Sequence, residues 1–236
     1  MPRDPDEPTR SRRLVLFVKE PLPGRAKTRL ARALGQAGAA RLYGAFLRDL
    51  SAALGGEGGR WDLLAAHDGP VPGPFLRSVF GGRWRLAPQA EGDLGERLAS
   101  CFGASHEDGA EMTVVAGSDV PSLTEDGVAG AFAALERGGV VVVAPSPDGG
   151  FGLIGLSSRA SPGFLREPIA WSSATALEET EAAARRAGMP VQRLAALPDV
   201  DEEADLDTLR AFLEEHPGAA PSTRAELARI GERRPA

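Results

Sequence analysis

The stretch KEPLPGRAKTRLA, residues 19–31, holds Lys19 and Lys27, the only lysines in a chain of 236 residues with 27 Lys+Arg. Arg25 and Arg29 flank the second lysine, and no acid follows Glu20 within the stretch. A lysine ammonium is a compact point charge on a flexible stem, whereas guanidinium is a broad planar fork. A loop that must meet phosphate oxygens in tight quarters favours the ammonium. Gly24 permits close approach of the backbone, and Pro21 and Pro23 stiffen the entry. Residue types and spacing therefore predict phosphate binding by Lys19, Gly24, Arg25, Lys27 and Arg29; the plain alternative is a solvated basic loop. The pattern is not a P-loop, because Gly24-x-x-Lys27-Thr28 is too short for a Walker A motif.

Carboxylates supply the complementary chemistry. Asp119, in AGSDVP, and Asp148, in PSPDGGF, each follow an apolar run, and Asp199-Val200-Asp201 precedes a late helical pattern. Magnesium in nucleotide enzymes is commonly held by one or two carboxylates together with phosphate oxygens and water. Asp119 is thus a candidate metal ligand and catalytic residue beside Lys27 and Arg25. Each acid also has a simpler reading: a capping or turn aspartate for Asp119, an ordinary Pro-Asp-Gly-Gly turn for Asp148, and an acidic first helical turn for residues 199–205.

The elements that must position these groups follow from periodicity. Apolar runs at residues 14–18 (LVLFV), 113–116 and 140–144, and a weaker one at 63–66, read as buried strands. Ala39, Leu42, Tyr43, Phe46, Leu50 and Leu54 recur at helical spacing, as do Leu94, Leu98 and Phe102. Ser122-Leu-Thr-Glu125 reads as a capping box opening a helix to about 137. Further helices are expected from Trp171 to about 186 and over 203–214, with surface loops at 55–59 and 69–74. The alternation predicts an α/β fold, a three-layer α/β/α sandwich around a mainly parallel central sheet. Ligands in such sheets sit beyond the carboxyl ends of the strands, where helix N-termini bind anions. The first helix is expected to begin near Lys27. Cations in its first turn oppose the helix dipole unless an anion docks there.

Composition narrows the function classes. The formal net charge is −6, so no global basic field exists to hold nucleic acid. Cys101 is the single cysteine and the three histidines lie far apart, which leaves no multi-cysteine metal site. No apolar run is long enough to span a membrane, and the polar N-terminus MPRDPDEPTRSRR lacks a signal-peptide core. The expectation is a cytoplasmic protein with a disordered lead at 1–12, one domain over 13–216, and a polar tail at 217–236 holding at most one helix.

The motifs also carry a resemblance. Phe17-x-Lys19, Pro23-Gly24-x-x-Lys27-Thr28-Arg29-Leu30, Gln89-x-x-Gly92-Asp93-Leu94-Gly95-x-Arg97-Leu98 and Gly117-Ser118-Asp119-x-Pro121 occur in this order. Asp148-Gly149-Gly150-Phe151, Trp171-Ser172 and Asp199-Val200-Asp201 follow. Together they resemble the bacterial DUF2064 family, also called radical-SAM/selenodomain-associated transferase 1, over roughly residues 14–210. The resemblance implies a glycosyltransferase-A-like, nucleotide-diphospho-sugar transferase fold and kinship with small-molecule nucleotidyltransferases. By its pattern the basic loop grips phosphates, and Asp119 with Asp201, or Asp199 as substitute, holds Mg²⁺ or Mn²⁺. Gln89, Gly92 and Asp93 line the nucleotide side, and Asp148, Gly149, Gly150, Trp171 and Ser172 the acceptor side. Departures include Glu20 where a small residue is usual, Ser122 for Asp, Phe151 for Tyr, and Glu202-Glu203 for Thr-Pro; an acid at Glu20 is expected to weaken anion binding.

The resulting expectation is a metal-dependent transferase acting on a nucleotide triphosphate or nucleotide-sugar and a small-molecule acceptor. The triphosphate-sized basic loop and the lone aspartate of the middle motif favour nucleotidyl transfer; the family's usual label favours glycosyl transfer. A catalytically silent nucleotide-binding protein is the reading outside enzymology. Replacing Lys27 or Asp119 by alanine should leave stability nearly unchanged if both side chains are exposed in the cleft.

Overall fold

The computed structural model describes residues 11–56 and 59–232. Of the expected lead, residues 1–10 lie outside the described residues, and Arg12 already opens β1 (Arg12–Val18). The alternation of β1 decides the layering. Leu14, Leu16 and Val18 join one apolar cluster, while Val15 and Phe17 belong to a second on the opposite face. The first cluster takes residues from α1 (Ala31–Leu54), α2 (Pro74–Phe80), α4 (Glu125–Glu136), α6 (Asp205–Glu215) and α7 (Pro221–Glu232). The second takes them from α3 (Leu94–Glu107) and α5 (Ala176–Arg186). Phe46 and Phe102, both fully buried, anchor the two layers, each burial contributing about 1.5–3 kcal/mol.

The remaining strands are β2 (Asp62–His67), β3 (Arg85–Pro88), β4 (Met112–Gly117), β5 (Val141–Pro145), β6 (Phe151–Ser157) and β7 (Val191–Arg193). They form one sheet in the order β3-β2-β1-β4-β6-β5-β7. Only β6 runs antiparallel to its neighbours β4 and β5. The α/β/α sandwich with a mainly parallel sheet is therefore as predicted. Register has a direct consequence for the site: Phe17 of β1 lies opposite Gly117 of β4. The loops leaving these two strands start side by side at one sheet edge.

Local differences have local causes. Strand β6 (FGLIGLS) was not anticipated, because its glycines interrupt the apolar run. Thr124, in extended conformation, caps α4 by accepting from the Gly127 N–H at 3.2 Å, whereas Ser122 Oγ is buried without a partner. The capping box predicted at Ser122 is thus displaced, because a turn through Leu123 precedes the helix. Helix α5 starts at Ala176 rather than Trp171. Residues 221–232 form α7, which Asp49 of α1 secures by accepting from the backbone N–H groups of Ser222 and Thr223 at 2.9 and 2.7 Å. None of the helices in the described residues is long and apolar enough to cross a membrane.

Candidate active site

Beyond the adjacent ends of β1 and β4 lies a cavity of about 570 Å³. The loop leaving β1 forms one wall. Its first turn is closed by the Arg25 N–H donating to the Leu22 carbonyl at 3.0 Å. Pro23 and Gly24 (φ 77°) occupy the central positions, a pairing suited to a type II turn. Gly24 shapes this turn and does not itself line the cavity. Lys27 follows with φ 50°, a left-handed backbone uncommon for a side-chain-bearing residue. The helix predicted to begin near Lys27 begins instead at Ala31 and is interrupted at Gly35. The cations therefore sit on a loop ahead of the helix, and helix-dipole attraction is not their main source of anion affinity.

Lys27 is the centre of the charge arrangement. Its side chain is only 6% exposed, and Nζ lies 2.5 Å from Asp201 Oδ1 and 3.6 Å from Asp119 Oδ2. The ammonium therefore faces the same crevice as both predicted metal-binding acids. One of its three donors is used by Asp201, which leaves donors for a phosphate oxygen. The two acids are 39% and 38% exposed. The segment carrying Asp201 is fixed to the β4 loop by the Val200 N–H, which donates to the Asp119 carbonyl at 3.0 Å. Asp205 braces it from the other side by accepting from the Asp201 and Glu202 N–H groups.

Lys19, Arg25, Arg29, Gln89 and Ser172 (φ 62°) line the same cavity. Among the described residues no carboxylate pairs with Lys19 or Arg25, whereas Arg29 lies 3.6 Å from Glu202. Glu20 turns away from the basic loop. Its carboxylate accepts from the Phe75 and Leu76 N–H groups at 2.9 and 3.2 Å and so caps α2. The loss of anion binding expected from this acid has no geometric basis.

Several predicted residues take structural positions off the cavity wall. Asp93 caps α3 by accepting from the Glu96 N–H at 2.9 Å, and Gly92 (φ 108°) delivers the chain to it. Asp148 accepts from the Gly150 N–H at 2.8 Å in the turn between β5 and β6. Gly149 in that turn has φ 88°, and a Cβ there would fall 2.1 Å from the Ala174 carbonyl oxygen. Trp171 meets Phe151 edge-on at 6.4 Å, with Phe151, not Trp171, reaching the cavity. Asp199 accepts from Ser146 Oγ. Burial raises the Asp199 carboxyl above its ordinary value, as do Asp148 and Asp119 nearby, against the lowering effect of the Ser146 hydrogen bond.

Among the cavity-lining side chains absent from the predicted set, Arg97 and Tyr43 bring polar tips from helices. Arg97 of α3 donates to Gln89 Oε1 at 3.2 Å, and Gln89 Nε2 in turn holds the Ala66 carbonyl at 2.8 Å. Tyr43, read from its helical spacing as core, extends its hydroxyl to the cavity edge, where it meets Ser118 Oγ at 2.7 Å. Burial pushes the Tyr43 phenol well above its ordinary value, so it stays protonated. Tyr43 is the chain's only tyrosine, and that was the one signal available.

The metal question reduces to two acids. Among the described residues no group of three His, Cys, Asp or Glu side chains gathers as a cluster. Asp119 and Asp201, gathered about one ammonium in the crevice, fit the smaller requirement of a cation completed by phosphate oxygens and water.

Comparison with known proteins bears on the family and the fold. The DUF2064 family, described as uncharacterised proteins conserved in bacteria, matches residues 54–173. The chain belongs to this family. No curated protein matches the sequence. Among solved structures, this DUF2064 protein is similar to a candidate nucleotide-diphospho-sugar transferase from Desulfovibrio desulfuricans G20. The two share 29% identity over 94% of this chain and 96% of that one, with a TM-score of 0.85. A CMP:2-keto-3-deoxy-manno-octonic acid synthetase complexed with CTP shares the fold at 14% identity, 87% and 99% coverage and a TM-score of 0.52. So does the 4-diphosphocytidyl-2C-methyl-D-erythritol synthase of Anaerococcus prevotii, at 10% identity, 86% and 96% coverage and a TM-score of 0.54. The DUF2064 protein is thus a transferase of the broad nucleotide-using class.

Proposed function

We propose that the protein is a divalent-metal-dependent nucleotidyltransferase, moving a nucleoside monophosphate from an NTP to a small phosphorylated acceptor. One observation supports this above the rest: Lys19 and Arg25, which no carboxylate pairs among the described residues, line one cavity together with Lys27, Asp119 and Asp201, and the Lys27 ammonium is shared by the two acids. A triphosphate tail matches that distribution of charge. The acceptor's phosphate oxygen attacks the α-phosphorus, the bond from that phosphorus to the bridging oxygen of the β-phosphate breaks, and pyrophosphate departs with the bonding pair. Such transfers need positioning and charge neutralisation more than covalent protein chemistry. Lys19, Arg25 and Lys27 would neutralise the departing diphosphate, and Arg97 would orient the nucleoside side. An acceptor phosphate is already ionised at neutral pH, so no protein base is required. A divalent cation such as Mg²⁺ or Mn²⁺, held by Asp119 and Asp201, would supply further charge neutralisation.

Glycosyl transfer from a nucleotide-sugar is the second reading. The similarity to the Desulfovibrio protein favours it. The assay that separates them supplies each NTP, then each nucleotide-sugar, with a panel of phosphorylated and hydroxyl acceptors. Release of pyrophosphate from an NTP supports nucleotidyl transfer; release of a nucleoside diphosphate only from a nucleotide-sugar replaces it with the second reading.

A further inference from the structure

The loops bearing cations and acids leave neighbouring strands, and one buried side chain ties both departure points. Tyr43 projects from the middle of α1 and is 4% exposed. Its hydroxyl oxygen accepts from the backbone N–H of Lys19, the first residue of the cationic loop, at 3.0 Å. The same hydroxyl lies 2.7 Å from Ser118 Oγ, beside Asp119. Ser118 Oγ donates its own proton to the Phe17 carbonyl at 2.7 Å. A serine hydroxyl has one proton to give, so the proton in the Tyr43–Ser118 bond is that of Tyr43. The direction is fixed: Lys19 N–H to Tyr43, Tyr43 to Ser118, Ser118 to Phe17.

We infer that Tyr43 is a positioning residue, whose hydroxyl sets the cationic loop of Lys19 and Lys27 in register with the acid loop of Asp119. The inference rests on the transfer reading for its kinetic consequence, but the relay itself is a structural fact. Ser118 Oγ ties the acid loop to the end of β1, and among the described residues Tyr43 is the side chain that extends this tie to the Lys19 amide, where the cationic loop begins. Loss of the phenol oxygen frees the Lys19 amide and lets the two walls drift relative to each other. Displacements of around 1 Å at such a site cost up to about 10²-fold in rate. Phosphate affinity falls with it, since the cations no longer converge.

The test uses the full chain with Tyr43→Phe, Ser118→Ala and the double variant. Hydrogen exchange followed by NMR should show the Lys19 amide exchanging about tenfold or more faster in Tyr43→Phe, with the centre of β1 unaltered. Turnover should fall about tenfold or more in kcat, with KM within about threefold. The double variant should be no worse than the poorer single one, because both break a single relay. Inorganic pyrophosphate, titrated calorimetrically, should bind both single variants at least about threefold more weakly than wild type. Wild-type kcat and KM in Tyr43→Phe, on an active wild-type protein, would overturn the positioning role and leave the transfer reading intact. A wild-type protein that turns over no NTP or nucleotide-sugar would overturn the transfer reading. The positioning role would then stand or fall on pyrophosphate affinity, and equal affinities would end it.

Discussion

Two three-charge groups in this molecule are mirror images. At the cavity, one buried cation, Lys27, is shared by two half-exposed acids, Asp119 and Asp201. On α5, one buried acid, Glu181, is shared by two exposed cations, Arg185 and Arg193. The difference lies in what remains available. Both oxygens of Glu181 are occupied, Oε1 by Arg193 Nε at 2.5 Å and Oε2 by Arg193 and Arg185 at 3.0 and 2.7 Å. Among the described residues Asp119, by contrast, has only the ammonium at 3.6 Å, beyond hydrogen-bonding distance, and the Asp201 carboxylate holds the ammonium with one oxygen. A saturated group braces a fold, whereas an unsaturated group open to a cavity is built to receive something more.

The largest expected effect breaks the first group. Asp119→Ala should lower kcat/KM by about 10² or more, the scale of losing one electrostatic stabiliser, with little change in melting temperature because the side chain is part-exposed. Lys27→Ala should lower it comparably, but the structure removes the condition under which stability would be spared. Lys27 is buried against two acids, and removing it leaves them facing each other. Thermal denaturation should show Lys27→Ala less stable than Asp119→Ala; the reverse order would contradict the charge arrangement.

The next effect sharpens the contrast. Glu181→Gln should cost about 1–3 kcal/mol in denaturant unfolding at neutral pH, as expected when charged hydrogen bonds are weakened at a buried site, with kcat/KM unchanged. The Arg193 hydrogen bond, followed by Arg185, holds the Glu181 carboxyl below its ordinary 4.5, against the opposing effect of burial. A depressed folded value means this stability is present above the unfolded value and is lost as pH falls below 4.5 through the folded value. Wild-type stability should therefore drop more steeply across that acid window than that of Glu181→Gln. The smallest effect concerns Asp148, which serves a turn. Asp148→Asn keeps the oxygen that accepts from Gly150, and acceptor KM should stay within about twofold; a larger rise would restore Asp148 to the acceptor side.

The same contrast explains what was legible in the sequence. LVLFV, TVVA and VVVVA disclosed the sheet because full burial on two faces leaves an uninterrupted apolar signature. Lys27 and Asp119 were legible because lysine is scarce in this chain and an acid after a buried strand has few simple uses. Asp93, Asp148 and Gly149 lie within the family motifs but serve as cap and turn, and a motif alone does not distinguish a residue that touches ligand from one that shapes the loop. Tyr43 was hidden by the opposite problem, and Arg97, though quoted within a family motif, carried no sign of its role. Tyr43 sits at helical spacing among apolar neighbours, and only the three-dimensional meeting of α1 and α3 with the strand ends shows where the polar tips of Tyr43 and Arg97 go.

On the proposed reading, the cationic loop and the two acids together grip a nucleotide's phosphates through a divalent cation. Melting temperature, measured with each NTP and nucleotide-sugar with and without Mg²⁺, tests it most directly, since a ligand that binds only the folded state raises stability. The predicted result is a rise for at least one nucleotide that requires the metal and vanishes in Asp119→Ala. No rise with any nucleotide, or an equal rise without metal, would contradict it.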